Sequence, residues 1–504
     1  MHSTLSARAK KRLTSPAFKA STNFAAAGAH GRILSLFRDA AKNVPAYARF
    51  LKKQGVRPAA IRSSEDIAHI PYLTKDNYLR AYPYNELFRR GKHSVPHVMT
   101  STSGSTGEPL YFPRSDSIHE RAAELHDRFY VGSSLSKKAS TLVIVCFGMG
   151  VWIGGLITYE AFSRMGRRRG RPIGIITPGI NMKEILNIAR KLAPRYEQLI
   201  FAGYPPFIKD VFDELAAEGR ILREKKIAIV AAAEAFTEHF RDYLVKAGGI
   251  ENALTDTMNI YGTAELGAMA SETPLSILIR RIAYDHPAAY AALFGNIEKT
   301  PTLAQYDARH YFFEALEGEL YVSADSVMPL VRYRLGDSGG ILRYADITRT
   351  MSNFGIDIES ATKKLCIDPS FKKMPFVYVY ERTDLSTTLY GLQIYPSMVR
   401  EALLRNTFQP FVTGRFTLVT KYDEAHDQFL EINLELKKGK EAPKTLGAQM
   451  SAEIVKELRE RSAEFRELSN HLGDRAMPRL VFWPYEDQLY FKRDIKQMWV
   501  QKTA

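Results

Sequence analysis

The feature that most constrains this chain is an alternation in its middle third. Four short apolar runs, "TLVIVCFGMG" (141–150), "RPIGIITPG" (171–179), "EQLIFAGYP" (197–205) and "KKIAIVAAA" (225–233), each end in glycine, proline or small residues. Between them, "NMKEILNIARKLAPRY" and "PPFIKDVFDELAAEG" carry a helical spacing of apolar residues. Apolar strands alternating with helices predict an α/β fold, with mixed or parallel sheets covered by helices on both faces. Ligands of such sheets bind beyond the carboxyl ends of the strands.

The 504 residues are too many for one core. Residues 31 to 90 read as helical, with Ile33, Leu34, Phe37, Ala40 and Ala41 on one face. After about 375 the texture shifts to "PFVYVYE", "RFTLVTKYD" and "FLEINLELKK" as strands, with "YPSMVREALLRN" and "APKTLGAQMSAEIVKELRERSAEF" as helices. The expected division is a basic tail over 1–30, a large N-terminal domain over 31–383 that opens with the helical segment, and a small α+β C-terminal domain over 384–504.

Charge and cysteine content narrow the function classes. The net charge is +15, but the basic residues are scattered, apart from "GRRRGR" (Gly166 to Arg171) and the first 38 residues. Without zinc-finger spacing or an RNA-binding aromatic signature, a surface that attracts anionic small molecules is favoured over a nucleic-acid partner. Cys146 and Cys366 cannot build a disulfide framework or a four-thiolate zinc site, which points to a reducing compartment and a cytoplasmic protein. No apolar run reaches membrane-spanning length. The first 38 residues hold seven Lys or Arg and no Asp or Glu, which fits a solvated basic tail or a mitochondrial presequence.

The chemistry is carried by four segments. "TSTSGSTGEPLYF" (Thr100 to Phe112) brings Thr102, Ser103, Ser105 and Thr106 together with Gly104 and Gly107. Glycine amides and hydroxyls can cradle a phosphate, although the loop lacks the lysine of a Walker motif, and a flexible surface turn has the same composition. "NIYGTAELGAM" (259–269) contains Tyr261, Gly262, Thr263 and Glu265; "LVRYRLGDSGG" (330–340) places Asp337 in a glycine-bounded turn. "YERTDLSTTLYGLQIYPSMVREAL" (380–403) carries Arg382, Asp384 and Gly391 where the two domains should meet. Singly, Tyr261 reads equally as core, Asp337 as a turn former, and Arg382 with Asp384 as a surface ion pair.

Together, in this order, the segments resemble the adenylate-forming superfamily, most closely its phenylacetate–coenzyme A ligase branch. "SGSTGEP" is similar to the phosphate loop, "YGTAE" to the aromatic–Gly–Thr–Glu motif, "YRLGD" to the ribose motif, and "ERTD" with "YGLQIYPSMV" to the hinge and the start of a mobile C-terminal domain. "NVPAYARFLKKQGV" (43–56) and "EDIAHIPYLTKDNYLRAYP" (65–83) resemble the N-terminal segment of that branch in particular.

The resemblance implies ATP-dependent activation of a carboxylic acid, aromatic in this branch, as an acyl-adenylate, followed by transfer to coenzyme A. It gives the β- and γ-phosphates to Thr102, Ser103, Gly104, Ser105, Thr106 and Gly107, Mg²⁺ to Glu265, the α-phosphate to Thr263, adenine to Tyr261 beside Gly262, and ribose to Asp337. Glu234 stands beside the nucleotide, in "AAAEAF" where the family has a glycine-led turn. Arg382 belongs to the joint, Asp384 is the hinge, and Gly391 lets the backbone approach the pantetheine arm. Trp152 in "FGMGVWIGG" and Tyr204 in "AGYPPF" match places that line the aryl site, and each reads equally as core. The implied oligomeric state is monomer or homodimer.

The chain departs from the family at two places. Glu381 and Tyr390 replace a glycine and an arginine of the joint. "YEDQLYFKRDIKQMWV" lacks the family's Ser-x-Gly-Lys stretch and puts Tyr490 at the position of the adenylating lysine; Lys492 is the candidate replacement and Lys496 the next. These departures keep open an amine, alcohol or carrier protein as acyl acceptor, and a degenerate nucleotide-binding homologue.

Overall fold

The computed structural model describes residues 29–63, 65–92, 97–102, 109–218, 224–295, 300–382, 387–403, 405, 407–487, 489–491 and 500. The chain divides into two compact units, each discontinuous in sequence: one takes 1–96, 275–297 and 303–381, the other 97–274, 298–302 and 382–504.

In the second unit the four apolar runs become strands Thr141–Cys146, Ile173–Ile176, Gln198–Gly203 and Lys226–Ala232, followed by Thr257–Thr263, all parallel. Gly267–Ser271 then pairs antiparallel with Thr257–Thr263, which makes the sheet mixed. The buried strand faces carry Val143, Ile144, Ile200, Phe201, Ile229 and Val230, all fully buried. Thr141–Cys146 lies between Ile173–Ile176 on one side and Gln198–Gly203 on the other, so the chain reverses its direction of travel across the sheet there. Such a reversal leaves a crevice at the carboxyl ends of the two strands, where Cys146 pairs with Gly203.

The same unit holds the C-terminal part. Val412–Tyr422 and Gln428–Leu436 pair antiparallel, and Arg479–Trp483 adds to the latter in parallel. Two helices, Leu446–Arg461 and Ala463–Leu472, replace the single helix expected from "APKTLGAQMSAEIVKELRERSAEF". The break is at Ser462, whose extended backbone and side chain, accepting from the Phe465 N–H, start a new helix.

In the first unit, Ala29–Asn43 buries Ile33, Leu34, Phe37 and Ala40, and Pro45 opens a second helix, Pro45–Lys53. Strands Tyr311–Leu316, Glu319–Ala324 and Leu330–Leu342 form an antiparallel meander. Arg332, buried, donates to both Glu314 carboxylate oxygens at 3.1 Å and to the carbonyls of Ile67, Ala68 and Ile70. The "EDIAHIPYL" segment is thereby fixed to the meander, and Leu73 exchanges backbone bonds with Arg332 and Arg334.

Candidate functional site

The phosphate-loop candidate sits on a short hairpin. Val98–Ser101 pairs antiparallel with Tyr111–Arg114, and Thr102 closes the neck: its N–H donates to the Leu110 carbonyl at 2.9 Å and its Oγ1 accepts from the Leu110 N–H at 3.0 Å. Ser103, Gly104, Ser105, Thr106 and Gly107 lie outside the described residues, as do Asp384, Lys492 and Lys496.

Facing that hairpin is the turn between Thr257–Thr263 and Gly267–Ser271. Gly262 sits where a Cβ would meet the Gly267 carbonyl at 2.5 Å, so a side chain there would push the strands apart. Tyr261 and Thr263 are half-buried and Glu265 is buried. The two elements are fastened by a residue the sequence reading passed over. Arg114, 1% exposed, donates to Thr100 Oγ1 at 3.0 Å, to the Glu265 carbonyl at 2.9 Å and to the Ala264 carbonyl. The planar guanidinium, with five N–H donors spread over three nitrogens, serves these separated acceptors at once.

A buried polar network stands behind the same strand. Arg241 donates to both Glu272 oxygens at 2.8 Å, to Glu238 and to Thr257. Glu272 in turn accepts from the Asn259 N–H at 3.1 Å, and Asn259 Nδ2 donates to the Glu234 carbonyl at 2.8 Å. Glu234 follows Ala233, whose φ of 78° lies in the left-handed region that glycine adopts freely. The Glu234 carboxylate accepts from the Gly391 N–H and from Gln428 Nε2 at 3.0 Å.

At the crevice beyond Cys146 and Gly203, Tyr204 is 8% exposed and meets the Phe147 ring edge-on, centroids 5.1 Å apart. Burial pushes its hydroxyl well above the usual phenol range, and that hydroxyl is hydrogen-bonded to the Gly148 backbone. Trp152, half-buried, precedes helix Ile153–Arg169 and lies against Gly148, where a Cβ would be 3.1 Å from Cδ1. Gly391 packs its Cα face on the Tyr204 ring; a Cβ there would be 2.3 Å from Cδ1. The structure therefore brings Trp152, Tyr204, Gly391 and Glu234 into one neighbourhood.

Asp337 is buried in the first unit, and its setting differs from the expected turn. It lies within strand Leu330–Leu342, beside Gly336 at φ 82°, where the register with Glu319–Ala324 shifts. A bulge, rather than a turn, gives it its direction. Arg382 ends strand Phe376–Arg382, and its side chain is outside the described residues. Tyr490, at the lysine position, packs on Trp483 with ring centroids 4.9 Å apart.

No family model matches the chain. A phenylacetate–coenzyme A ligase of Aromatoleum evansii is 22% identical over 403 residues, 79% of each chain. Another from Pseudomonas putida is 25% identical over 225 residues, 44% of this chain and 47% of the relative. Among solved structures, the fold is similar to 2-hydroxyisobutyryl-CoA ligase in complex with 2-HIB-AMP and CoA in the thioesterification state, with TM-score 0.58 and 17% identity over 95% of this chain and 91% of that one. The chain is thus similar in sequence to phenylacetate–coenzyme A ligases and in fold to 2-hydroxyisobutyryl-CoA ligase. The α/β fold expected from the sequence is similar to that of this ligase.

Proposed function

We propose that the protein is an AMP-forming acid–thiol ligase, which activates a carboxylic acid, aromatic by analogy with the relatives, and transfers it to coenzyme A. In the first step a carboxylate oxygen attacks the α-phosphorus of ATP, and the bond to pyrophosphate breaks. In the second, the sulfur of coenzyme A attacks the acyl carbon, the C–O bond to AMP breaks, and the thiol proton passes to solvent. Both reactants of the first step are anionic, so the site has to hold them in line and neutralise charge.

Within this reading the 103–107 loop and Thr102 hold the β- and γ-phosphates, Thr263 contacts the α-phosphate, Tyr261 lies against adenine, and Asp337 accepts from the ribose hydroxyls. Glu265 is a buried carboxylate on a turn whose backbone Arg114 fixes, and its oxygens suit a hard cation such as Mg²⁺. Bound there, Mg²⁺ would offset phosphate charge. Lys492 is the candidate cation for adenylation, Arg382 and Asp384 the joint, and residues 384–504 the body that turns between the two steps. Trp152 and Tyr204 line the acid pocket. The active form is a monomer or homodimer. No helix among the described residues is long and apolar enough to cross a membrane, and both cysteines are free, which supports a reducing, cytoplasmic setting.

The observation that carries the reading is the Arg114 fastening, which sets the neck of the phosphate loop against the turn bearing Thr263 and Glu265. The replacement of the family lysine by Tyr490, packed on Trp483, favours as second reading an acceptor other than coenzyme A. The test is pyrophosphate release across a panel of aryl and fatty acids, with and without coenzyme A. An aryl acid should give release, and coenzyme A should convert the adenylate to a thioester. Glu265→Gln should lower release by roughly 10²-fold or more. No release with any acid would sink the proposal.

A further inference from the structure

The turn that carries Gly391 is an unusual one for its sequence. Leu389 pairs with Leu392 across strands Thr387–Leu389 and Leu392–Ile394, which leaves Tyr390 and Gly391 as a two-residue connection. Their φ values are 47° and 79°, both left-handed, as a type I′ hairpin requires. Asn-Gly adopts that conformation with little strain, whereas a bulky residue at the first position does not. Tyr390 is nevertheless there and fully buried. Something outside the hairpin has to hold it.

The holding groups come from distant parts of the same unit. Arg475 donates to the Tyr390 hydroxyl at 2.6 Å and to both oxygens of Asp210, on helix Pro205–Ala217, at 2.9 Å. On the backbone side, the Tyr390 N–H donates to Gln428 Oε1, and the Gly391 N–H to Glu234 Oε1. Gln428 Nε2 completes the ring by donating to Glu234 Oε2 at 3.0 Å.

The polarity of this ring is fixed. The Tyr390 N–H can only donate, so Gln428 must turn its oxygen toward the turn and its amide nitrogen toward Glu234. Glu234 then faces two donors, the Gly391 N–H and Gln428 Nε2. A carboxylate accepts from both, whereas a glutamine would set one of its own N–H groups against a donor or leave one of the pair without an acceptor.

We propose that Glu234 is a positioning residue for the Tyr390–Gly391 turn: its carboxylate, through Gln428 and directly, holds the turn's backbone against the Tyr204 ring. The assignment differs from the nucleotide-side role implied by the family resemblance. It rests on the proposed function only in one consequence. If Tyr204 borders the acyl group and Gly391 the thiol arm, then seating the turn is a requirement of the second half-reaction.

Polarity also supplies the test. Glu234→Gln should loosen the turn, and the amides of a peptide covering 387–394 should exchange with deuterium roughly 10-fold faster than in the full-length wild type. Adding Gln428→Glu reverses the ring. The carboxylate then stands at position 428 and accepts both from the Tyr390 N–H and from the amide now at position 234, whose oxygen accepts from the Gly391 N–H. Exchange in the double variant should return to within about 3-fold of wild type. Conversion of a preformed acyl-adenylate to thioester should fall and recover in parallel. If Glu234→Gln does not fold, Gln428→Met, which strands the Tyr390 N–H, carries the same expectation for exchange. Wild-type exchange in Glu234→Gln, or a double variant no better than the single, would overturn the proposal. Exchange that follows the polarity swap in a protein that makes no thioester would leave the positioning role standing and remove the ligase reading instead.

Discussion

Arg114 joins segments 150 residues apart in sequence, and nothing in "YFPRSDS" announces it. An arginine after a short strand reads as exposed; it is buried because acceptors from the Ala264–Glu265 turn converge on it, and such convergence has no local signature. Arg114→Met should leave those acceptors without their donor and cost about 2–4 kcal/mol of stability, measured as a lower urea midpoint. Lysine should restore only part, because an ammonium cannot span the fork's positions. Asp337 was legible as a candidate but not in its setting, since glycine on either side of an acid suggests a turn, and only the partner strand reveals the bulge. Asp337→Ala should weaken ATP binding by about 2–4 kcal/mol, the scale of charge-assisted hydrogen bonds to ribose hydroxyls. Calorimetry giving equal ATP affinity for both proteins would remove the ribose role.

The parallel strands were readable because residues buried on both faces write continuous apolar runs, and their small terminal residues mark the crevice where Tyr204 and Trp152 stand. The Ser462 break was not readable. Met450, Ile454, Leu458 and Phe465 keep helical spacing straight through it, and neither glycine nor proline marks the spot. What starts the second helix is a cap: Ser462 Oγ accepts from the Phe465 N–H at 3.1 Å. Ser462→Ala should cost about 1 kcal/mol, and Ser462→Asp, which keeps the acceptor, should be near neutral. Equal thermal midpoints for Ser462→Ala and wild type would show that packing of Phe465 and Leu468, not the cap, sets the break.

Across the whole molecule the charge of +15 is less concentrated than the sequence suggests, because Arg168, Arg169 and Arg171 of its basic run face acids, as does Arg164 just before it. Arg164 reaches Asp116, Glu120 and Glu160, Arg168 reaches Glu120, and Arg169 and Arg171 reach Asp127. One acid that contributes a pH dependence lies elsewhere, in the first turn of helix Ala463–Leu472. Burial, with Glu467 close by, pushes the Glu464 carboxyl up from 4.5 to about 7. The sign follows from proton binding. Between those values the folded protein holds a proton that the unfolded chain has released, so this group's contribution to stability falls as pH rises from about 4.5 to about 7. Above that range the buried charge costs up to about 3 kcal/mol relative to acid pH. Glu464→Gln removes the charge and keeps the shape. It should raise the thermal midpoint clearly at pH ~8 and hardly at all at pH ~5, with the difference developing around neutrality. Calorimetry showing the same shift at both values would mean that Glu464 is ionised in the folded protein throughout and that the helix N-terminus, which favours a carboxylate, outweighs burial.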